Sequence, residues 1–128
     1  MEARTHLSIR PEWVGSVVSL EEGFCRAELA TRPEMAADER GLVHGGFAFG
    51  LADYAAMMAV NHPNVVLGAA DVRFTAPVRV GQRVVAEARV RESKGRKRIL
   101  EVTAEADGVR VLEGTMTAFV LDRHVLDA

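Results

Sequence analysis

One charged side chain, Asp53, stands in an otherwise apolar run over residues 47–60, and the run is opened by His44-Gly45-Gly46. Residues of these types at this spacing can do carbonyl chemistry. The free N–H groups and partial positive charge of a helix N-terminus favour an anion, including the oxyanion that forms when a carbonyl is attacked. Glycines at 45 and 46 put no side chain between such a group and the backbone. A carboxylate can take a proton from water or attack the carbonyl itself. On helical geometry Asp53 lies about two turns beyond Gly45, on a stripe with Gly46, Gly50 and Met57. It does not reach a carbonyl held at Gly45 of its own helix, so it must serve the Gly45 of another copy across a two-fold interface. Two plainer roles fit the same residues. Asp53 could be structural, held by buried backbone or an interface partner, and Gly46-x-x-x-Gly50 could be a close-packing surface for another helix.

The elements that must position these groups are legible in outline. Residues 13–30 read as a β-hairpin, with β-branched residues before Glu21-Glu22-Gly23 and alternation after it. A polar connection with Pro33 and Gly41 follows. Residues 45–61 read as a helix rich in alanine, leucine and methionine, stopped by Asn61-His62-Pro63. The remainder reads as strands: one ending at Pro77, then three linked by turns at Ser93-Lys94-Gly95 and Asp107-Gly108. Val84, Ala86, Ala88 and Val90 alternate with Val85, Glu87, Arg89 and Arg91, which gives one buried and one wetter face. The order is α+β: a hairpin, one helix, then antiparallel strands. Because the helix is apolar all round, it is expected to be buried on all sides. One strongly curved sheet wrapped around it would do this, with Gly68, Gly95 and Gly114 as places for bulges or kinks.

Composition narrows the function classes. The chain has 128 residues, the size of one domain spanning 1–128, and a formal net charge of −2, which argues against a nucleic-acid partner. Cys25 is the single cysteine, so there is no internal disulfide framework, and a cytoplasmic location is the simplest expectation. The charged start does not read as a leader, and the longest apolar run is too short to span a bilayer. His6, His62 and His124 have no metal-site spacing and read as surface or loop residues. No Gly-Lys-Ser/Thr follows the glycines, so they do not form a phosphate loop of the nucleotide-hydrolase kind.

"VHGGFAFGLAD" resembles the signature of the hotdog-fold acyl-CoA thioesterases, in the branch of the phenylacetate-degradation and 4-hydroxybenzoyl-CoA type enzymes. His44-Gly45-Gly46 and Leu51-Ala52-Asp53 fit the pattern, and Phe74, Pro77 and Gly81 in "VRFTAPVRVG" resemble the family's Phe/Tyr-x-x-Pro-x-x-x-Gly strand end. The resemblance implies a helix wrapped by a curved sheet and two subunits paired edge to edge, often doubled to a tetramer. It implies active sites between subunits. Asp53 would be nucleophile or base, and Gly45 would offer its N–H to the thioester carbonyl. It implies an acyl-CoA substrate and no metal or other cofactor, coenzyme A being part of the substrate. Two other readings are a non-catalytic acyl-CoA-binding module and a hotdog hydratase or dehydratase.

The resemblance also gives meaning to residues around this centre. His44, just before the helix, would orient the loop or touch substrate more readily than move a proton. Asp38 stands six residues before His44, where several relatives have Asn. It is a second carboxylate for the site, an acceptor within the loop, or a solvated acid. The strand "VVLGAAD" lacks the Ser or Thr that some relatives place beside the nucleophile. Lys94, Gly95, Arg96 and Lys97 form a basic turn that could meet the phosphates of coenzyme A or simply be solvated, and Arg79 is a further candidate. Gly46 and Phe47, with some subset of Phe49, Tyr54, Met57 and Met58, would line the substrate pocket or belong to the core.

Overall fold

The computed structural model describes residues 1–127. Six antiparallel strands form one sheet in the order β1-β2-β4-β5-β6-β3. The strands are β1 (Ser16–Glu21), β2 (Phe24–Ala30), β3 (Val65–Phe74), β4 (Arg83–Lys94), β5 (Lys97–Ala106) and β6 (Val109–Val120). The long helix α2 (Gly45–Val60) lies against the sheet, mainly on β4 and β2, and a one-turn helix α1 (Pro11–Val14) precedes β1. This is the hotdog arrangement.

The helix fits closely because the sheet beneath it is built of small and branched residues. Ala86, Ala88, Val102, Ala104 and Ala118 face Leu51, Ala52, Ala55, Ala56, Met57 and Met58 in one buried core. The alternation in β4 is as read: Val84, Ala86 and Ala88 are buried, while Glu87 and Arg89 lie on the other face, where Glu87 pairs with Arg26.

Three expectations are corrected. The hairpin does not begin at residue 13. Pro11 presets a helical φ, the Gly15 N–H closes the turn on the Pro11 carbonyl oxygen at 2.8 Å, and β1 starts at Ser16. Gly15 has φ +95, and a Cβ there would lie 2.6 Å from the Glu28 carbonyl oxygen and 2.7 Å from Leu51 Cδ1. Gly68 does mark a bulge, between Leu67 and Ala69, but Gly95 sits in the β4–β5 turn and Gly114 stays in register opposite Val72. The other register shifts fall at Val17/Ser19, Val90/Glu92 and Ala104/Glu105, where no glycine marks them.

The third correction concerns α2. It is not buried on all sides: Gly45 and Gly46 are exposed, and Phe47, Phe49, Gly50, Asp53 and Tyr54 are half-buried. A single sheet has one concave face and covers only part of a helical cylinder. Part of the open side is crossed by residues 1–6. The Arg4 N–H donates to Asn61 Oδ1 at 2.7 Å, and Asn61 Nδ2 donates to the Glu2 carbonyl oxygen at 2.9 Å. Asn61 is buried and left-handed (φ 52°, ψ 51°), and its N–H closes on the Met57 carbonyl oxygen, so one residue both ends the helix and ties the strap. Among the described residues, no helix is long and apolar enough to cross a membrane.

Candidate active site

The loop before α2 is held on both sides. The His44 N–H donates to the Met35 carbonyl oxygen and the Val43 N–H to the Val78 carbonyl oxygen, each at 2.9 Å, while Leu42 bridges Arg79. His44 is the residue before the first turn. Its backbone is extended, its side chain makes no capping hydrogen bond, and no acid lies in the first turn. The positive end of the helix is therefore uncompensated within the chain. The His44 ring lies over Gly46, where a Cβ would stand 2.9 Å from its Cδ2, and Phe74 lies over Gly45 at 3.4 Å from a Cβ built there. A groove of about 220 Å³ opens beside Gly45, lined by apolar residues such as Val43, Ala48, Phe74 and Val78. The arrangement leaves a place for a polar, electron-rich atom at the helix end and for an apolar group next to it.

Asp53 sits eight residues along the same helix, about 12 Å from Gly45 at the helical rise. Its Oδ1 is buried and has no hydrogen-bond partner. Burial pushes its carboxyl above the usual range, and the nearby charge of His6 opposes this in part. A carboxyl raised in this way is a stronger base when ionised than a solvated one. The structure thus keeps Gly45 and Asp53 apart within one chain.

The other sequence candidates divide. Asp38 Oδ1 accepts the N–H groups of Arg40 (2.9 Å) and Leu42 (3.2 Å), so this carboxylate is an acceptor within the loop. It shares a second groove, about 230 Å³, with Arg40, Leu42, Pro77 and Arg79. Leu42 and Pro77 also line the groove at Gly45, so Asp38 and Arg79 do come together beside the helix end. Phe47 is half-buried between His44 and Trp13, with ring centroids 6.2 Å from each. Met57 and Met58 are core residues, only 1% exposed. Lys94, Gly95, Arg96 and Lys97 lie at the far end of β4, a strand of twelve residues that spans roughly 36 Å. Arg96 is paired with Asp122 there. Within one chain this turn does not meet Gly45.

Three residues near the site were not singled out by sequence reading. Arg40 lines the second groove. Trp13 extends the His44–Phe47 contact outward, with the Arg32 guanidinium 5.8 Å from its ring; Pro11 two residues before it was the available signal. His6 was read as a surface or loop residue. Its ring is exposed, but it meets Tyr54 edge-on at 6.3 Å. His62 and His124 are loop residues whose Nδ1 atoms accept local N–H groups. Among the described residues, no group of three or more His, Cys, Asp or Glu could hold a metal ion.

Comparison with known proteins gives these features a context. The uncharacterized protein PH1136 of Pyrococcus horikoshii is 53% identical and superposes with a TM-score of 0.97 over 99% of this chain and 98% of its own. A methylthioribose-1-phosphate isomerase of Aquifex aeolicus is 48% identical over 123 residues, 95% of this chain and 27% of that protein. Transcription factor FapR of Shouchella clausii is 36% identical over 88 residues, 68% of this chain and 46% of that protein. The chain thus spans less than half the length of these two curated relatives. A family profile described as "Thioesterase superfamily" matches residues 40–113, the stretch that holds the open helix end and Asp53. With the profile covering more than half of the chain, and one helix in the grip of one antiparallel sheet, the chain belongs to the thioesterase superfamily.

Proposed function

We propose that this protein is a cytoplasmic acyl-CoA thioesterase, acting as a homodimer or homotetramer whose active sites are each shared by two copies. The observation that carries the reading is a complementary pair of incomplete halves. One is an uncompensated helix N-terminus at Gly45 and Gly46. The other, about 12 Å along the helix, is Asp53 with a buried oxygen that has no partner. Two helices side by side and antiparallel bring Asp53 of one copy to Gly45 of the other. The open edge of the ten-residue strand β3 supports such pairing, since a long unpaired edge is otherwise an aggregation hazard.

In this reading the Gly45 N–H donates to the thioester carbonyl oxygen and holds the oxyanion. The carboxylate of Asp53 from the second copy either takes a proton from the attacking water or attacks the carbonyl, giving an anhydride that water opens. The C–S bond breaks, the thiolate leaves and is protonated as coenzyme A, and the acid departs. His44, Gly46 and Phe47 shape the helix end, and Asp38 and Arg79 border the adjoining groove. Lys94, Arg96 and Lys97 around Gly95 would reach the phosphates of coenzyme A only from another subunit. The reaction needs no metal or further cofactor, and no nucleic acid or membrane partner enters it.

Thiol release from short, long and aromatic acyl-CoAs, with wild type and Asp53→Asn side by side, tests this. A loss of about 10²-fold or more in a variant that stays folded and oligomeric is expected; an unchanged rate overturns it. The second reading, a non-catalytic acyl-CoA-binding module, is favoured by the likeness to a protein named a transcription factor. It takes the lead if no acyl-CoA is hydrolysed but one raises the melting temperature.

A further inference from the structure

Phe74 and Pro77 belong to the strand-end motif, and the thioester chemistry described above uses neither. Phe74 is the last residue of β3, where it pairs with Leu112 of β6. The next residue is pinned: the Thr75 N–H donates to the Val111 carbonyl oxygen at 2.9 Å, and its hydroxyl donates to the Arg110 carbonyl oxygen at 2.7 Å. The backbone is thus held on both sides of Phe74, yet this large apolar residue stays 55% exposed. Its ring lies over the helix opening, with Cε1 3.4 Å and Cδ1 3.6 Å from a Cβ built on Gly45. The same ring walls the groove of about 220 Å³ beside Gly45. Three features limit what that groove can hold. Its floor is Val43, Ala48, Val78 and Val111, all members of the buried core, so it ends on packed side chains. Past Leu42 and Pro77 it gives way to the second groove, where an apolar chain would desolvate Asp38, Arg40 and Arg79. Over Gly45 itself stands the Phe74 ring.

We propose that the groove at Gly45 takes the acyl group of the substrate, that this group is a short, uncharged chain, and that Phe74 is the residue that limits its length. The proposal rests on the reading of the protein as an acyl-CoA thioesterase that holds the thioester carbonyl at the Gly45 N–H. Chemistry decides which arm of the thioester enters. Among the described residues, His44 is the one polar side chain in the lining. The thiol arm of coenzyme A carries amides, which so apolar a wall would leave without partners. The hydrocarbon of the acyl arm needs none. Volume decides the length. At roughly 30 Å³ for each heavy atom, the share of one water in the liquid, the groove takes about seven carbons. A longer chain has to displace the Phe74 ring. With its backbone held, that ring can yield only by rotating about its own side-chain bonds.

The test is a chain-length profile on the full chain. Thiol release is measured from straight-chain acyl-CoAs of two to sixteen carbons with wild type, Phe74→Ala, Phe74→Leu and Phe74→Trp, each checked for its oligomer by light scattering. Wild type is expected to favour the hexanoyl over the dodecanoyl thioester in kcat/KM. One methylene too many in an apolar pocket costs about tenfold or more, so Phe74→Ala should raise the dodecanoyl-to-hexanoyl ratio at least ~10-fold. Phe74→Leu should move the ratio the same way by less, and Phe74→Trp should lower it. A Phe74 that served only the fold or a contact between copies would scale both substrates together. An unmoved ratio therefore overturns the proposal, and so does a wild type that favours the dodecanoyl or longer chains. If wild type hydrolyses no thioester, the thioesterase reading falls by that result. Calorimetric binding of the same acyl-CoAs then reads the profile: a preference for short chains that lengthens in Phe74→Ala upholds the role of Phe74, and an unmoved preference or no binding overturns it.

Discussion

Gly114 is where a single methyl group should damage this fold most per atom added. It stands on β6 opposite Val72 of the edge strand β3, with φ +156. A Cβ there would lie 2.6 Å from Val72 Cα and 3.0 Å from the Asp71 carbonyl carbon, and closer still to the carbonyl oxygen. Favourable carbon–carbon separation is about 3.5–4.0 Å, so β3 would have to retreat by roughly 1 Å. No rotamer can relieve this, because the obstructing atoms are backbone. The strained conformation costs about 1–3 kcal/mol, and loosening two ladder hydrogen bonds costs about 1 kcal/mol each. A loss of about 3–5 kcal/mol is expected for Gly114→Ala. With an unfolding entropy of about 2.1 cal/mol/K per residue over 128 residues, each kcal/mol is worth about 4 °C, so Tm should fall by roughly 12–20 °C. Calorimetry reads the Tm, and light scattering during size-exclusion chromatography reads whether the proposed oligomer, if it pairs through the free edge of β3, weakens. A Tm within about 3 °C of wild type would refute the argument, since it would mean the two strands are not held at this separation.

Other expectations follow from the same physical terms. The Asp53 carboxyl is raised above its ordinary value of 3.8 in the folded chain, so the unfolded chain loses its proton first as pH rises. Stability is therefore withdrawn as pH climbs from below 3.8 through the folded value, and the full cost remains above it. Asp53→Asn should melt higher than wild type at pH 8, with the gap closing near pH 3.5; a gap that widens toward acid would contradict the sign. Cys25 is fully buried with its thiol pushed up to about 12, so it should resist a disulfide reagent at pH 8 until denaturant is added. A fast stoichiometric reaction in the native protein would show the site to be open. Gly46→Ala places a Cβ against the exposed His44 ring. Stability should hold or rise, by about 1 kcal/mol at most, because alanine is the better helix former. Thioester turnover should drop by up to ~10²-fold as the ring is displaced, and steady-state kinetics showing full activity would remove His44 from the site.

Much of the architecture was legible because it is written locally. The helix over Gly45–Val60 follows from alanine, leucine and methionine between a glycine opening and an Asn-His-Pro stop. The face of β4 that turns inward follows from a period of two, and the Asp107-Gly108 turn from residues that accept positive φ. His44, Gly45, Gly46 and Asp53 could be singled out for a similar reason: a lone acid and paired glycines in an apolar run are anomalies visible without coordinates. The candidate site was less legible where one residue had two uses. Asp38 could be a reactive acid or a loop acceptor by its type, and only the positions of the Arg40 and Leu42 N–H groups show that it closes the loop.

The set of elements, their order and the identity of the unusual groups are all written in the chain, since propensity, period and capping act over a few residues. The tertiary structure alone decided which of those groups meet. It separated the basic turn at Lys94–Lys97 from Gly45 by the length of β4, and it left one side of α2 uncovered because a single sheet encloses only part of a helix. It also drew residues 1–6 across that open side through Asn61, putting His6 edge-on to Tyr54 although some fifty positions lie between them. Contacts of that kind depend on how the chain closes loops over long separations, and no pattern within a short stretch encodes where such a loop will land.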